Sequence, residues 1–443
     1  MTPQQPTLEP LISYVITDYA GITRGRSIAA SRYEQEPNRT LGWVPANMSL
    51  TPFDLIADPN PWGSRGDLRL LPDKAARYRL RPEGSVTDLD MVMCEIAELD
   101  GTPWVCCPRS FLKAALGDLE REAGVTLRAA FEHEFQILDA GWPAAPAFSL
   151  QAQRRADPFG AGLMASLTAA GVDPEMFVAE YGKDQFEVTV APSGGLVAAD
   201  RAVVVREAVR ELVRNRGWKC SFAPKTATDG VGNGVHIHFS FRDQNGKPVA
   251  YDERYPGRVS ALAGSFIAGV MRHLPALIAF SAPSPISYLR LQPQHWSSSY
   301  TWFGEQDREA SVRICPISRI GGSDPAEGFN IEYRPADATA CPHLVLGVMV
   351  RAGLEGLRAK LPAPTLFSGD PASLSNEERI AKGLQRLPTS LDDALTAMLE
   401  DSVVTSWFDP RALESYVGMK RKEIELAGNR LDDALCRRYA DIY

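Results

Sequence analysis

The stretch RAAFEHEFQIL, residues 128–138, constrains the fold more than any other part of this 443-residue chain. An apolar run of Phe131, Phe135, Ile137 and Leu138 is interrupted by Glu132, His133 and Glu134, and the whole reads as a β-strand. A strand sends residues i and i+2 to one face, so Glu132 and Glu134 stand side by side with the same charge. Taking such a pair out of water is costly unless a cation or a proton offsets it. Either the strand lies at a wetted edge, or something positive comes to it.

Other segments repeat the anomaly. In AEYGKDQFEVTVAP, Phe186, Val188 and Val190 take one face and Gln185, Glu187 and Thr189 the other, with Glu180 across a turn. In GVHIHFSF, His236 and His238 share a face opposite Val235, Ile237 and Phe239, and in FNIEYRP, Glu332 and Arg334 share one. Each alone is an ordinary hydrogen-bonded strand residue. Together they offer carboxylates and imidazole, the donor set of Mg²⁺ or Mn²⁺ rather than of structural zinc, and a pair of such cations points to phosphoryl transfer. The glycine-rich turn GVGNG at 230–234 brings backbone N–H groups close to a ligand, while Arg290, Arg308, Arg313 and Arg334 form a guanidinium set suited to carboxylate and phosphate oxygens.

Composition narrows the class. A net charge of −8 argues against a surface for nucleic acid, and seven cysteines without C-x-x-C spacing argue against a disulfide framework or a zinc site. The start MTPQQPTLEP lacks a basic, apolar leader, and the apolar stretch VSALAGSFIAGVM is cut by Arg272 and His273, too short for a membrane span. The expectation is a cytoplasmic protein with no membrane or nucleic-acid partner.

Residues 10–100 alternate short apolar runs with Gly, Pro and Asp turns, which predicts a small sheet-rich domain. A break at DGTPWVCCPRS divides the chain into 1–105 and 106–443. After it, Ser110 as N-cap, Leu112, Leu116 and Leu119 on one face and Gly124 beyond the end predict a helix. A second is expected over 201–216, with Asp200 as cap and Val205, Ala208, Val209 and Leu212 on its apolar face. Strands and helices mix without a regular βαβ rhythm, so the fold class is α+β.

Taken in order, FEHEF (131–135), EYGKDQFE (180–187), KTATDGVGNGVHIHFS (225–240), YLRLQP (288–293), DREASVRICP (307–316) and IEYRPAD (331–337) make the chain resemble the glutamine synthetase family, of the bacterial type I or its γ-glutamyl-amine and γ-glutamylpolyamine ligase relatives. The resemblance implies a small N-terminal β-grasp-like domain and a large catalytic α/β domain. It also implies a homo-oligomer, commonly a dodecamer of two stacked hexamers with sites between neighbours. Matched by position, Glu134, Glu180 and Glu187 correspond to ligands of one metal and Glu132, His236 and Glu332 to those of a second. His238 and Ser240 fall near the ATP phosphates, Arg290 and Arg334 hold L-glutamate beside the Gly232, Asn233 and Gly234 turn, and Arg308 and Arg313 neutralise the transferring phosphoryl group. The implied chemistry is attack of the γ-carboxylate on ATP, then displacement of phosphate by an amine.

Departures from the family bear on that amine. Where ammonia-using members carry R-L-V-P-G-Y-E-A-P, this chain has RLQPQHWSS, so Trp296 stands at the site-closing Glu. Where they carry F-D-G-S-S, the matching stretch is VPANMS at 44–49, which has no acid. Residues 365–405 hold no Tyr, so the adenylylation switch is absent, and the N-G-S-G turn becomes V-G-N-G at 231–234. A carboxylate-free pocket lined by Trp296 suits a small organic amine better than ammonium. The expected activity is ATP-dependent glutamate–amine ligation; glutamine synthetase proper and a non-catalytic regulatory homologue are the alternatives.

Overall fold

The computed structural model describes residues 8–443, so the first seven residues, read above for targeting, lie outside it. The N-terminal region forms a five-stranded sheet of β1 (Leu11–Thr17), β2 (Thr23–Ala29), β3 (Leu41–Trp43), β4 (Leu68–Leu80) and β5 (Leu89–Ala97), in the order β2-β1-β5-β4-β3. The central pair β1 and β5 runs parallel and the remaining pairs antiparallel.

The second sheet is built around β6 (Val125–Leu138), with β7 (Pro174–Ala179), β8 (Gln185–Val190), β9 (Ser193–Gly194), β10 (Lys219–Ser221), β11 (Val235–Asp243), β12 (Phe303–Glu305), β13 (Val312–Ile314) and β14 (Ile331–Tyr333). Its order is β12-β13-β14-β11-β6-β8-β7, and β9 and β10 also pair with β6. The FEHEF strand is therefore at the middle of the sheet, not at a wetted edge.

Helices cover one face of this sheet. Helix Gly195–Asn215 packs on β6, and helix Pro342–Arg358 packs on Ala261–Ser281 and Pro108–Ala123. The crossing of Pro342–Arg358 with Ala261–Ser281 is close because both offer glycine: a Cβ on Gly269 would meet Gly356 N at 2.6 Å. The stretch expected to be too short for a membrane span continues through Arg272, His273 and Pro275 to Ser281, and is a mostly buried core helix.

Two predicted caps are corrected. The first helix starts at Pro108, and the Cys107 sulfur, not Ser110, accepts the first-turn amide, from Ser110 N at 3.5 Å. Gly124 ends that helix in the left-handed conformation, φ 67°, as a glycine C-cap does. The second helix starts at Gly195, so Asp200 lies inside it. Asp200 is drawn there by charge, since its carboxylate takes Arg109 through two hydrogen bonds of 2.9 and 2.8 Å.

Candidate active site

Strand alternation on β6 sorts FEHEF as a buried central strand must. Phe131, His133 and Phe135 face the helices, where His133 stacks with Phe131 and meets Phe222 edge-on. Burial holds the His133 imidazole neutral, with its pKa pushed down to about 3. Glu132 and Glu134 face the opposite side.

Antiparallel register then sets out the polar face, because directly paired residues share a side of the sheet. Glu134 pairs with Glu187 on β8, Glu132 with His236 on β11, His238 with Glu332 on β14, and Glu332 with Arg313 on β13. One row of ionisable groups thus crosses five neighbouring strands. Glu132 Oε1 lies 2.8 Å from His236 Nδ1 and its Oε2 3.4 Å from His238 Nε2. Glu332 Oε2 lies 2.5 Å from Arg313 Nε, and its Oε1 pairs with Arg334 and stands 3.5 Å from His236.

The electrostatics split this row. Burial opposes ionisation of Glu132 and Glu332, yet the His hydrogen bonds hold Glu132 well below its usual range, and Arg334, His236, His238 and Arg313 hold Glu332 at about 2. Burial, reinforced by Glu132, Glu134 and Glu180, pushes Glu187 up to about 10, and burial with Glu134 raises Glu180. Three carboxylates around Glu187 are more negative charge than this end of the row can hold without a cation or a proton. The donor set fits a hard divalent cation: Glu132, Glu187 and His236 place ligand atoms within 4.8 Å of one another, as do Glu132, His238 and Glu332.

These groupings differ from the matched sets. His238, expected at the phosphates, joins Glu132 and Glu332, while Glu134 and Glu180 stand apart from both groups of three. Backbone amides hold both: Glu134 Oε2 accepts from Gly234 N–H at 2.6 Å, and Glu180 Oε2 from Tyr181 N–H at 3.2 Å.

The GVGNG turn wraps Arg290. A Cβ on Gly232 would meet Arg290 Cγ at 2.9 Å, and one on Gly234 would meet His236 Nε2 at 3.0 Å, so both positions need glycine. Asn233 does not face a ligand through its side chain; it accepts from Gln185 Nε2 and donates to Ala223 O, both at 2.8 Å. Arg290 itself is buried, and burial lowers its pKa. Its guanidinium donates to the carbonyls of Ala336 and Arg334 at 3.2 Å, and among the described residues no carboxylate lies in ion-pair range. A desolvated guanidinium held only by carbonyls is prepared for an incoming carboxylate.

Two recesses flank the row. One, of about 420 Å³, is lined by Glu132, His238, Ser240, Arg128, Met176 and Phe329 among others. The second, of about 410 Å³, is lined by Trp296, Glu305, Gln306, Asp307, Arg308 and Glu309. Arg308 is exposed there, apart from Arg313, which is committed to Glu332. The expectation of a carboxylate-free pocket at Trp296 is overturned: three acids of the 305–309 turn surround it. In DREA the arginine stands out by sequence and the acids beside it do not, and Asp54 is likewise unmarked. The acid-free VPANMS stretch is a largely buried 3₁₀ turn against Pro410–Ala427, but Asp54 follows it at φ 58° with an exposed carboxylate.

Comparison with known proteins agrees with this architecture. The glutamine synthetase N-terminal domain matches residues 5–104, and the glutamine synthetase catalytic domain matches 105–439. The chain is 34% identical over 441 residues, 97% of its length and 92% of the relative's, to the γ-glutamylpolyamine synthetase GlnA3 of Streptomyces coelicolor. It is 26% identical over 450 residues to a glutamate–isopropylamine ligase of a Pseudomonas species, covering 96% of this chain and 94% of that one. A crystal structure described as a novel glutamine synthase homolog superposes with a TM-score of 0.92 at 45% identity over the full length of both chains. With both family domains spanning nearly all of its length, the chain belongs to the glutamine synthetase family.

Proposed function

We propose that this protein is an ATP-dependent ligase that joins the γ-carboxylate of L-glutamate to an organic amine in preference to ammonia. A γ-carboxylate oxygen attacks the terminal phosphorus of ATP and ADP leaves. The amine nitrogen then attacks the acyl carbon, phosphate leaves, and the nitrogen gives up a proton. Bound Mg²⁺ or Mn²⁺ would neutralise the phosphate oxygens and polarise the transferring group.

The chain's own groups are assigned around that chemistry. Glu132, Glu134, Glu180, Glu187, His236 and Glu332 hold the cations, with His238 within reach of the same oxygens. The recess with Ser240 and His238 takes the nucleotide. Arg290, with no acid of its own, takes a glutamate carboxylate beside the Gly232–Gly234 turn. Arg313 and Arg334 keep Glu332 ionised, and Arg308 is the exposed cation at the mouth.

The observation that carries the amine assignment is Trp296, 70% exposed at the mouth of the second recess. An indole offers a substituted amine apolar area that ammonium, with no substituent, cannot use. The acids Glu305 and Asp307 favour an amine that carries a further positive charge. The two relatives named above act, by their names, on polyamines and on isopropylamine, which supports the same reading.

The test is phosphate release with Mg-ATP and glutamate, screened against ammonium, monoamines and diamines. At least one organic amine is expected to exceed ammonium in kcat/KM. Apolar contact between the indole and an amine's substituent is worth roughly 1–3 kcal/mol, about 5- to 150-fold over ammonium, which has no substituent. Glutamine formed faster than every substituted amide would make the protein a glutamine synthetase; no phosphate release with any amine would make it a regulatory homologue. The proposal includes a homododecamer of two stacked hexamers in the cytoplasm, a reducing compartment suited to seven unpaired thiols. An active monomer by light scattering would overturn the assembly.

A further inference from the structure

Gln294 and Trp296 both adopt left-handed backbone, φ 62° and 54°, although neither is glycine. Side chains with a Cβ take up this conformation where surrounding contacts impose it. Here one carboxylate supplies the contact to both amides. Glu309 Oε1 accepts the Trp296 amide at 2.5 Å and Oε2 accepts the Gln294 amide at 3.2 Å. The Trp296 carbonyl accepts from Arg334 Nη2 at 3.1 Å, and the Ser297 hydroxyl donates to Arg290 O at 2.6 Å. The peptides on either side of the indole are therefore gripped at N–H by Glu309 and at C=O by Arg334, whose other nitrogen pairs with Glu332. Glu309 is itself oriented, because Asp307 Oδ1 accepts its amide at 3.0 Å. The indole is left as the free, exposed end of a rigid loop.

We infer that Glu309 is a specificity-positioning residue: its carboxylate fixes the left-handed Gln294–Trp296 loop and so holds the Trp296 indole where the amine's substituent passes on its way to the acyl carbon. Glu309 touches neither substrate nor cation in this assignment; it acts through Trp296. The role rests on the ligase reading above. It also accounts for an acid in the DREA turn that the phosphoryl-transfer chemistry does not use.

The experiment compares wild type with Glu309→Ala and Glu309→Gln in two reactions that share the acyl-phosphate step. One is amide formation with the preferred organic amine; the other is trapping by hydroxylamine, a nucleophile too small to need the indole, read as γ-glutamyl hydroxamate. For Glu309→Ala the ratio of the two kcat/KM values is expected to fall about tenfold or more, with hydroxamate formation changing less than about threefold. Glu309→Gln is expected to lie between, since its carboxamide oxygen still accepts the Trp296 amide while its NH₂ faces the Gln294 N–H. An unchanged ratio, or equal loss in both reactions, overturns the assignment. A crystal structure of Glu309→Ala reads the clamp without activity: positive φ retained at both Gln294 and Trp296 overturns it as well. Wild-type enzyme that makes no hydroxamate from glutamate and ATP would instead sink the ligase reading, with the clamp then decided by those backbone angles.

Discussion

Two buried charge clusters in this chain look alike in composition and differ in balance. At the seam between the N-terminal sheet and the catalytic helices, Arg109 makes two bonds to Asp200, lies 2.7 Å from Asp73 on β4 and 3.5 Å from Glu95 on β5. Lys113 adds a 2.7 Å contact to Glu95, and His343 Nε2 lies 2.8 Å from Asp200. Every acid there has a partner, and despite burial Asp200 titrates below its usual range. At the site, Glu134, Glu180 and Glu187 have no cationic side chain in ion-pair range among the described residues, and Glu180 and Glu187 titrate high. Burial is common to both, so it does not separate them; the count of partners does. A matched buried cluster is finished by folding, whereas an unmatched one is finished only by a ligand.

The largest test of that contrast is removal of one member from each. Glu134→Ala is expected to lower ATP-dependent turnover by about 1,000-fold or more with unchanged melting temperature, because its carboxylate faces a ligand rather than a core, and His236→Ala to lose as much turnover together with some stability, because it also strands Glu132. Near-normal turnover at saturating Mg²⁺ would remove that residue from the site. At the seam the signs reverse. Arg109→Met strands Asp200 and Asp73 and is expected to destabilise by about 3–5 kcal/mol in denaturant melts, with kcat retained by the folded fraction. A loss under about 1 kcal/mol would mean that the seam acids relax into water and that partner count is a poor guide.

How far the sequence disclosed this contrast follows from the geometry of strands. Glu132/Glu134, His236/His238 and Glu332 were legible because alternation is local: i and i+2 share a face whatever the tertiary structure. Which acid faces which His depends on inter-strand register, and FEHEF, QFEVT, VHIHF and NIEYR follow one another at intervals of about 50 to 100 residues, so no local pattern encodes the Glu134–Glu187 or His238–Glu332 pairing. Asp200 was misread for the same reason. An Asp ahead of an apolar period is a good cap by local rules, and only the arrival of Arg109 from 91 residues away makes an interior position tolerable. Glu309 escaped notice because its partners are backbone amides, which leave no mark in a sequence.

Cation binding sharpens the comparison from the other side. With metal removed by chelation, Glu187→Gln is expected to match or exceed wild type in stability above pH 4.5, since an acid whose folded pKa is raised to about 10 destabilises the fold once it would ionise in the unfolded chain. Returning Mg²⁺ to 100 times its Kd should stabilise wild type by about 2.7 kcal/mol and leave Glu134→Ala with markedly less. Arg109→Met should keep the full increment, because its defect lies away from the cation. Equal increments in wild type and Glu134→Ala would show that the acid row is not where Mg²⁺ binds.

The smallest effect expected is a pH dependence that belongs to the seam. Burial, the larger influence, lowers the pKa of His343 below 6.5, against the pull of Asp200. A histidine depressed in the folded state stays neutral there while the unfolded chain takes up its proton. The unfolded state then binds more protons below pH 6.5, and stability falls as pH drops through that value, by up to about 1.4 kcal/mol per unit. Asp200, whose folded pKa is lowered, loses its contribution only at more acid pH, below its ordinary 3.8, so the two windows separate. His133 adds a slope of the same sign, but it is present in any seam variant and cancels in a difference. His343→Gln keeps a donor for Asp200 and cannot titrate. Between pH 7 and 5.5 the stability gap between wild type and His343→Gln is therefore expected to shift in favour of the variant, by at most about 1 kcal/mol, measured by denaturant melts at both pH values. A gap that does not move would mean that Asp200 lets the imidazole charge inside the fold, and that the seam carries a spare positive charge where the site carries spare negative ones.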